Sequence, residues 1–561
     1  MGFFGKIGEG LKKTRDSMKE KLDQLFSSFK KVDEELLDEL EETLVLSDAD
    51  GSLLDRVAIE EGMEGLSIGR AEKETALSVF TEPTKGAANA GEAYAGKLEP
   101  VVFSNVGGAH AQSRVKVELR AREGATIYYT TDGSVPDASS RKYVRPLWLK
   151  NATRVRAFCV MEGMLDSEVT GITVLPGQPT DLRVVCVYGN TDVLRTGKKG
   201  SGTQVFAEAY EPDGVQLFAQ PCLLKASGHS SRLELRQKAF SLRAKNEFGQ
   251  GWFNAPLFSK RGYDRYKSFV MRSSGQDCKQ THMLDSILTS LAADTSVFYQ
   301  ETEVCACFVN GEYWGLYNMR ERVTPQSIAQ FHGWDNWDNI NIVEDSGGNA
   351  FAFKGETKGY KELLKWVRDH DLSDDANVEA LRERLDIENF LEYVMLEMFS
   401  NNQDLDNVRC YNNPGTDERW RWVLFDLDLG FENSGSAVSP WLNNGKVGRV
   451  TGQDNTLFPR LMKNAGLRDY FLTRMGELLN GAFSADSVIA KIDARVALIQ
   501  DEMVRNCERW DWSYSTWEKA CQRFRETAMV RPAKVAKELV KAFGLSDAEA
   551  RRYLGALAEA D

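Results

Sequence analysis

An apolar run that ends in two aspartates sets the strongest limit on how this chain can fold. The run from 420 to 425, WRWVLF, is rich in aromatic and branched residues and predicts a buried strand. Asp426 and Asp428 follow it and share one face of an extended continuation. A carboxylate at the end of a core strand needs a cation, a cationic side chain or several hydrogen-bond donors, because removing it from water is costly. The fold must bring such a partner to this strand.

A second polar cluster lies shortly before this strand. The pattern IENFLEYVMLEMFSNN predicts a helix, and Asp404 and Asn407 follow it, before a predicted strand around Arg409 to Tyr411. A carboxylate on a short loop between rigid elements suits phosphoryl transfer, and Mg²⁺ prefers such oxygen ligands. Alternatively, these aspartates end helices and turns, where they accept hydrogen bonds from backbone N–H groups and contact arginines. Spacing alone leaves both interpretations open.

Several sequence blocks, taken in order, resemble the CotH kinases, a family named after spore-coat protein H. The blocks are GHSSRLELRQKAFSLRAKNEFGQGWFNAPLF (228–258), YKSFVMRSSGQD (266–277), FVNGEYWGLYNMRERV (308–323) and the segment 401–432. NGEYWGLYN and FDLD are each distinctive of the family. The resemblance implies a kinase-like domain over residues 180–545, followed by a C-terminal tail, 546–561.

This resemblance implies an ATP-dependent atypical protein kinase that transfers the γ-phosphoryl group to Ser or Thr of a partner protein. By position, Asp404 resembles the catalytic aspartate that accepts the proton of the acceptor hydroxyl. Asn407 resembles the nearby amide that helps to hold a metal ion, Mg²⁺ or Mn²⁺. Asp426 resembles the metal-binding aspartate, and Asp428 supports it.

The resemblance also places phosphate contacts near residue 228. The turn with Gly228, Ser230 and Ser231 is expected to approach the phosphates of ATP through backbone N–H groups. Arg232 is a further phosphate candidate.

Lys238 is the predicted phosphate-contacting lysine, on the strand QKAFSLRA. It shares an apolar face with Phe240 and Leu242, which is tolerable if its ammonium group reaches a phosphate or a carboxylate. Glu321 follows the predicted hairpin FVNGEYWGLYNM and is expected either to pair with Lys238 or to contact the nucleotide.

The chain departs from ordinary protein kinases in its motifs. It contains no G-x-G-x-x-G-x-V loop, no V-A-I-K and no H-R-D-L-x-x-x-N. The step from Asp404 to Asn407 is also shorter than in ordinary kinases. The alternative interpretation is therefore a catalytically inactive binding or scaffold protein.

Residues 98–176 change to short alternating segments and predict a β-sandwich of the immunoglobulin or fibronectin-III type. ATIYYTTDGSVPDASSRKY resembles the chitobiase/β-hexosaminidase C-terminal domain, with Asp132 and Gly133 closing a hairpin. That domain accompanies catalytic barrels without performing the chemistry. A spacer, or a module that contacts protein or carbohydrate, is therefore expected.

Residues 1–50 resemble the start of FtsY, the bacterial receptor for the signal recognition particle. Phe3, Ile7 and Leu11 lie at helical spacing beside several lysines, which predicts an amphipathic helix. Residues 1–20 would then bind an anionic membrane surface, or pack as an ordinary helix. No G-x-x-x-x-G-K-[ST] sequence follows, so only a membrane-associated adaptor role is expected of this segment. Residues 51–97 are expected to be a helical and linker region.

The composition excludes some classes of function. The net charge of −13 argues against nucleic-acid binding, which requires a basic surface. Nine cysteines show no disulfide framework, and no export signal or long apolar segment is visible. The expected location is the cytoplasm or the cytoplasmic face of the membrane, with the cell envelope of exported relatives as the alternative.

The overall prediction is a multidomain α+β chain. It consists of an N-terminal helical segment, an immunoglobulin/fibronectin-III-like β-sandwich and an atypical two-lobed protein-kinase-like domain with a helical C-terminal lobe.

Overall fold

A computed structural model provides the structure of the chain. It describes residues 42–47, 50–59, 66–71, 75–84, 87, 89, 91–198, 200–228, 230–346, 349–405, 408–431, 435–443, 446–447 and 453–559.

The described part begins with two β-hairpins. Strand β1 (Glu42–Ser47) pairs antiparallel with β2 (Leu53–Ile59), and β3 (Ser67–Arg70) pairs antiparallel with β4 (Leu77–Phe80). The helical prediction was therefore wrong for these residues. Residues 51–97 were predicted to be a helical and linker region, whereas Val57 and Ile59 in LLDRVAI favour a strand. The predicted amphipathic helix near the N-terminus lies outside the described residues.

Residues 102–176 form the predicted β region. Its strands are β5 (Val102–Phe103), β6 (Gly108–His110), β7 (Val115–Val117), β8 (Leu119–Arg120), β9 (Thr126–Thr130), β10 (Arg141–Lys142), β11 (Leu147–Leu149), β12 (Thr153–Val160) and β13 (Thr170–Pro176). Five of them form a sheet in the order β10-β9-β12-β13-β6, while β7 pairs with β11 and β5 with β8. Gly133 has the positive φ expected of its turn, 80°. An immunoglobulin-like topology stays a prediction.

A closed barrel follows. Its part of the chain contains β14 (Arg183–Gly189), α1 (Val193–Thr196), β15 (Thr203–Tyr210), β16 (Gln216–Ala226), α2 (Ser230–Glu234), β17 (Phe240–Arg243), β18 (Phe253–Asn254), β19 (Arg265–Tyr266), β20 (Ser268–Arg272), α3 (Leu284–Thr289), β21 (Phe298–Tyr299), β22 (Thr302–Val309) and β23 (Glu312–Glu321). The barrel order is β14-β15-β16-β17-β20-β23-β22, closed by parallel pairing of β14 with β22. Buried aromatic side chains, among them Phe240 and Phe269, fill it.

The remaining chain is a mixed sheet covered by helices. Its elements are α4 (Pro325–His332), β24 (Asn341–Ser346), β25 (Asn349–Lys354), α5 (Lys358–Asp369), α6 (Asp375–Arg382), α7 (Ile387–Ser400), β26 (Val408–Asn413), β27 (Asp417–Leu424), β28 (Lys446–Val447), β29 (Gln453–Asp454), α8 (Leu457–Leu461), α9 (Ala465–Asn480), α10 (Ala485–Trp510), α11 (Tyr514–Phe543) and α12 (Asp547–Leu554). The sheet order is β21-β27-β26-β24-β25. The predicted helix before Asp404 and the hairpin after it are confirmed as α7, β26 and β27.

The structure thus confirms a mixed α+β chain with a β-barrel and a helical C-terminal part. The two-lobed protein-kinase architecture stays a prediction. Within the described ranges, every helix is too short or too polar to cross a membrane.

A buried ion pair joins the 102–176 region to the barrel. Arg154 on β12 donates through Nε to Glu208 Oε1 on β15 (2.6 Å), and Glu208 is fully buried. The Tyr210 hydroxyl donates to Glu208 Oε2 (2.7 Å) and accepts from the Thr173 N–H group (2.8 Å). A Cβ at Gly107 would lie 2.1 Å from the Tyr210 ring, so glycine permits this close packing. An ion pair and a hydrogen bond therefore join the two regions in their buried interface.

Candidate functional site

The two aspartates predicted to need a partner lie directly after β27. Asp426 has a positive φ of 65°, a conformation that Asp and Asn adopt more readily than other side chains. This turn of the backbone brings the carboxylates of Asp426 and Asp428 to a common point.

Arg272, the last residue of β20, occupies that point. Its Nη2 donates to Asp426 Oδ1 and to Asp428 Oδ2, the latter at 2.8 Å. Its Nε lies 3.4 Å from Asp285 Oδ2. Burial alone lowers the pKa of Arg272, but the three carboxylates outweigh burial and raise the pKa above its usual value. Burial raises the pKa of Asp428, against the opposing charge of Arg272.

Asp285 on α3 connects this cluster to the barrel. Its Oδ2 pairs with the Arg320 guanidinium on β23, and its Oδ1 accepts from the Leu427 N–H group (2.9 Å). Asp285 and Arg320 are 4% and 2% exposed, so neither charge has water as a substitute partner. The helix, the barrel and the 426–428 turn therefore hold one another in place.

The turn after β20 wraps around Asp428. Ser274 and Gly275 both have positive φ, 64° and 55°. The Gln276 N–H group donates to Asp428 Oδ2 at 3.0 Å. A Cβ at Gly275 would lie 1.9 Å from the same oxygen, so any other residue would displace the carboxylate. The backbone here forms a cradle for Asp428.

The loop that carries Asp404 lies against the segment that follows Asp428. Asn401, with a φ of 44°, caps the C-terminus of helix α7, and the Gln403 N–H group donates to Leu429 O (3.4 Å). The Asp404 N–H group donates to Asn402 Oδ1 at 3.1 Å. The structure thus brings the Asp404 loop beside the segment of Asp426 and Asp428. The prediction for Asn407 lies outside the described residues.

Glu397, on the last turn of α7, is an acid that the sequence did not single out. Burial raises its pKa to about 8, and the nearby Asp404 charge adds to the effect. Tyr393 and Asn402 hydrogen bond to its carboxyl group, while Oε2 has no partner in the described part of the chain. At neutral pH this group holds its proton beside Asp404.

We expect Glu397→Gln to stabilise the protein more at pH 8 than at pH 5. Between a pKa of about 4.3 in the unfolded chain and about 8 in the folded protein, the unfolded chain binds fewer protons, so stability falls as pH rises. Glutamine cannot ionise, so its advantage should grow by on the order of 3 kcal/mol across this range. Urea unfolding at both pH values measures it. Glu388→Gln on the same helix is the control, and an equal gain at both pH values would contradict the prediction.

The structure does not bring Lys238 to the carboxylates. Lys238 lies two residues before β17, and its Nζ donates to Leu233 O at 3.1 Å. No ion pair joins it to a carboxylate in the residues that the structure describes. Burial lowers the pKa of its ammonium group. The prediction that the lysine contacts phosphate is therefore not supported by its position.

The predicted phosphate turn lies partly near the site. Gly228 is exposed with a φ of 85°, and Ser230 and Ser231 begin the short helix α2. This helix lies against the turn 275–279, which binds Asp428. Arg232 instead donates through Nη1 to Gly197 O at 3.1 Å.

Glu321 does not pair with Lys238 in the structure, and its burial argues against the predicted contact with a nucleotide. Its Oε2 accepts from Arg261 Nε at 2.8 Å, and its Oε1 accepts from the Tyr263 hydroxyl. The residue is 1% exposed, so a nucleotide has no direct access to it. Glu321 pairs with Arg261 instead of Lys238.

The described residues offer a hard divalent cation few ligands, chiefly the carboxylates of Asp426 and Asp428. No group of three or more His, Cys, Asp and Glu side chains in the described residues has the arrangement of a metal site. However, Asp426 and Asp428 converge on a single guanidinium nitrogen, and Gly275 leaves room for one of them. One or two carboxylates completed by phosphate oxygens are the usual protein ligands of Mg²⁺. A cavity of about 340 Å³ also opens beside Asp428.

Sequence reasoning missed Arg272 and Asp285. Both lie in or just after the block YKSFVMRSSGQD, which carried the family resemblance without a role for either residue. The available signal was Arg272 at the end of an apolar strand, with Gly275 three residues later. The aspartates at 426 and 428 already required a cationic partner.

Comparisons with known proteins agree with this architecture. Residues 224–535 match the family described as CotH kinase protein, and residues 106–171 match the chitobiase/beta-hexosaminidase C-terminal domain. Invasin CotH2 from Rhizopus delemar is 21% identical over 190 residues, which cover 29% of this chain and 32% of the invasin. The chain therefore spans about a third of the length of that relative. Neither family match reaches residues 1–50, so the resemblance to FtsY has no support. Since the first match covers more than half of the chain, the protein belongs to the CotH kinase family.

Proposed function

We propose that this protein is an ATP-dependent kinase of the CotH type, which transfers the γ-phosphoryl group to Ser or Thr of a partner protein. The observation that carries the proposal is the convergence of Asp426, Asp428 and Asp285 on Arg272. Protein kinases combine a strand cation, a helix acid and a metal-binding aspartate at the phosphates of ATP. Arg272, Asp285 and Asp426 supply these three groups.

Arg272 is our candidate for the phosphate-contacting cation, in place of Lys238. It is charged at any working pH, and its planar fork can hold two phosphate oxygens while it keeps Asp285 as a partner. Since Asp426 and Asp428 now share Arg272, a bound cation would take over part of their charge and free the guanidinium for phosphate. Arg272 would thus bind the two aspartates when nucleotide is absent and the phosphates when nucleotide and metal are bound.

The reaction joins the acceptor hydroxyl oxygen to the γ-phosphorus as the bond from the γ-phosphorus to the β,γ-bridging oxygen breaks, which releases ADP. Asp404 would accept the hydroxyl proton, and its loop lies against the 426–431 segment through the Gln403 hydrogen bond. Glu397 lies beside it, and in its protonated form would add no negative charge next to Asp404. Asp426 and Asp428 would hold Mg²⁺ or Mn²⁺, which, when bound, neutralises charge on the phosphate oxygens.

The proposal is tested by incubating the protein with ATP, Mg²⁺ or Mn²⁺ and a basic, Ser-rich acceptor protein. We expect phosphate on the acceptor, and nucleotide with metal should raise the melting temperature. If neither transfer nor a melting shift occurs, the proposal is wrong. A melting shift without transfer would favour the inactive binding protein.

Arg272→Lys should lower transfer by at least about tenfold, because a lysine keeps the charge but loses the two-point contact with oxygen atoms. Arg243→Lys, at an exposed arginine on the neighbouring strand β17, is the matched control. If Lys238 contacts the phosphates instead, Lys238→Met and not Arg272→Lys will show the loss.

A further inference from the structure

A second cavity adjoins α3 and has three basic residues in its lining. Its volume is about 210 Å³, and Lys260, Lys491 and Arg495 line it together with Ser286. Lys491 and Arg495 are one turn apart on α10 and therefore lie on the same face of that helix. Arg495 Nη1 donates to Ser286 Oγ at 3.3 Å. Three positive charges thus surround one small space.

These cations lack the partners that usually accompany such a cluster. No ion pair joins any of the three to a carboxylate within the described ranges. Burial lowers the pKa of Lys491, and the charge of Lys260 lowers it further. Burial likewise lowers the pKa of Arg495. Burial therefore disfavours the positive charges of Lys491 and Arg495, and an anion in the cavity would stabilise them.

The acids nearest the cavity are held by other donors. Glu301 also lines it, but its carboxylate accepts from the Tyr299 hydroxyl (2.8 Å) and from the Thr302 N–H group (3.1 Å). Glu303 lies near Arg495, and its Oε1 accepts from the Ser259 N–H group at 2.9 Å. Asp294 lies near Lys491 and is exposed. Of these three acids only Glu301 lines the cavity itself, so the lining holds three cations and one carboxylate.

We propose that this cavity binds a phosphate group, either as inorganic phosphate or as a small phosphomonoester. A tetrahedral dianion matches three cations that line one cavity. The site is separate from the Arg272 cluster, because adjacent residues of α3 serve the two: Asp285 contacts Arg272, and Ser286 lines the cavity. Occupancy would therefore also stabilise the helix that carries Asp285.

Titration of the full chain with sodium phosphate, followed by calorimetry at ionic strength held constant with NaCl, tests the proposal. We expect saturable binding that Lys491→Met/Arg495→Met weakens at least about tenfold, since two charge-assisted contacts are lost. The charge-matched control is Lys519→Met/Lys537→Met, at exposed lysines of α11, which should bind as the wild type does.

Equal phosphate affinity in the wild type and in Lys491→Met/Arg495→Met would overturn the proposal, as would no binding beyond that of NaCl. If the double variant does not fold, Lys260→Met carries the test, because this residue is exposed. Its affinity should fall about threefold or more, and an unchanged value would overturn the proposal. Parallel titration with O-phosphoserine distinguishes free phosphate from a phosphomonoester as the preferred ligand.

Discussion

Asp426→Asn is expected to lower phosphoryl transfer by about two to three orders of magnitude, the usual loss when a group that stabilises transition-state charge is removed. Asparagine is the replacement of choice because residue 426 has a φ of 65°, which Asn tolerates and most other side chains do not. The amide can still accept a hydrogen bond from Arg272, so the turn should be preserved. Transfer of labelled γ-phosphate to the acceptor measures the effect.

The control for this experiment is Glu418→Gln, an exposed position on β27 that also loses one negative charge. Its transfer rate should equal that of the wild type. If Asp426→Asn retains transfer within a few-fold of the wild type, Asp426 does not hold the metal and the proposed mechanism fails. Melting temperatures of both variants show whether a loss of transfer reflects a loss of folded protein.

Asp285→Leu is expected to destabilise the protein by about 3–5 kcal/mol, because it leaves the Arg320 charge buried without its carboxylate. Arg320 is 2% exposed and cannot recover the loss from water. The Leu427 N–H group also loses its acceptor. Urea-induced unfolding followed by tryptophan fluorescence measures the change.

The double variant Asp285→Leu/Arg320→Met separates the charge from the shape of the site. Replacing both partners by apolar residues removes the uncompensated charge, so most of the lost stability should return. Asp294→Ala, at an exposed acid close to the end of α3, should change stability by less than about 0.5 kcal/mol. If the single and double variants are equally unstable, the buried ion pair is not the cause.

Local patterns predicted the elements that present the site. The helix before Asp404 and the strand before Asp426 follow from hydrophobic periodicity and residue type, and both were confirmed. The prediction that Asp426 and Asp428 need a partner was also correct, since Arg272 donates to both carboxylates. Such features depend on neighbours in the sequence, which is why one sequence was enough.

Local sequence patterns could not identify Arg272 as the partner of Asp426 and Asp428. Arg272 and Asp426 are 154 residues apart, and only the barrel and sheet together bring them into contact. Lys238 and Glu321 looked suitable because of residue type and alternation, but Lys238 binds the nearby Leu233 carbonyl and Glu321 binds Arg261, which is 60 residues away in the sequence. The N-terminal hairpins were missed because pairing of β1 with β2 depends on backbone hydrogen bonds between short, charged segments.

The Arg154–Glu208 pair changes how the chain can be divided. A shortened protein that begins after β13 would keep the whole barrel but would leave Glu208 without its arginine, and Tyr210 without the Thr173 N–H group. Such a protein should express poorly or aggregate, although no residue of the proposed transfer site is missing. We therefore expect the smallest useful unit for biochemical work to begin before residue 102, so that Arg154 and Thr173 keep their partners in the barrel.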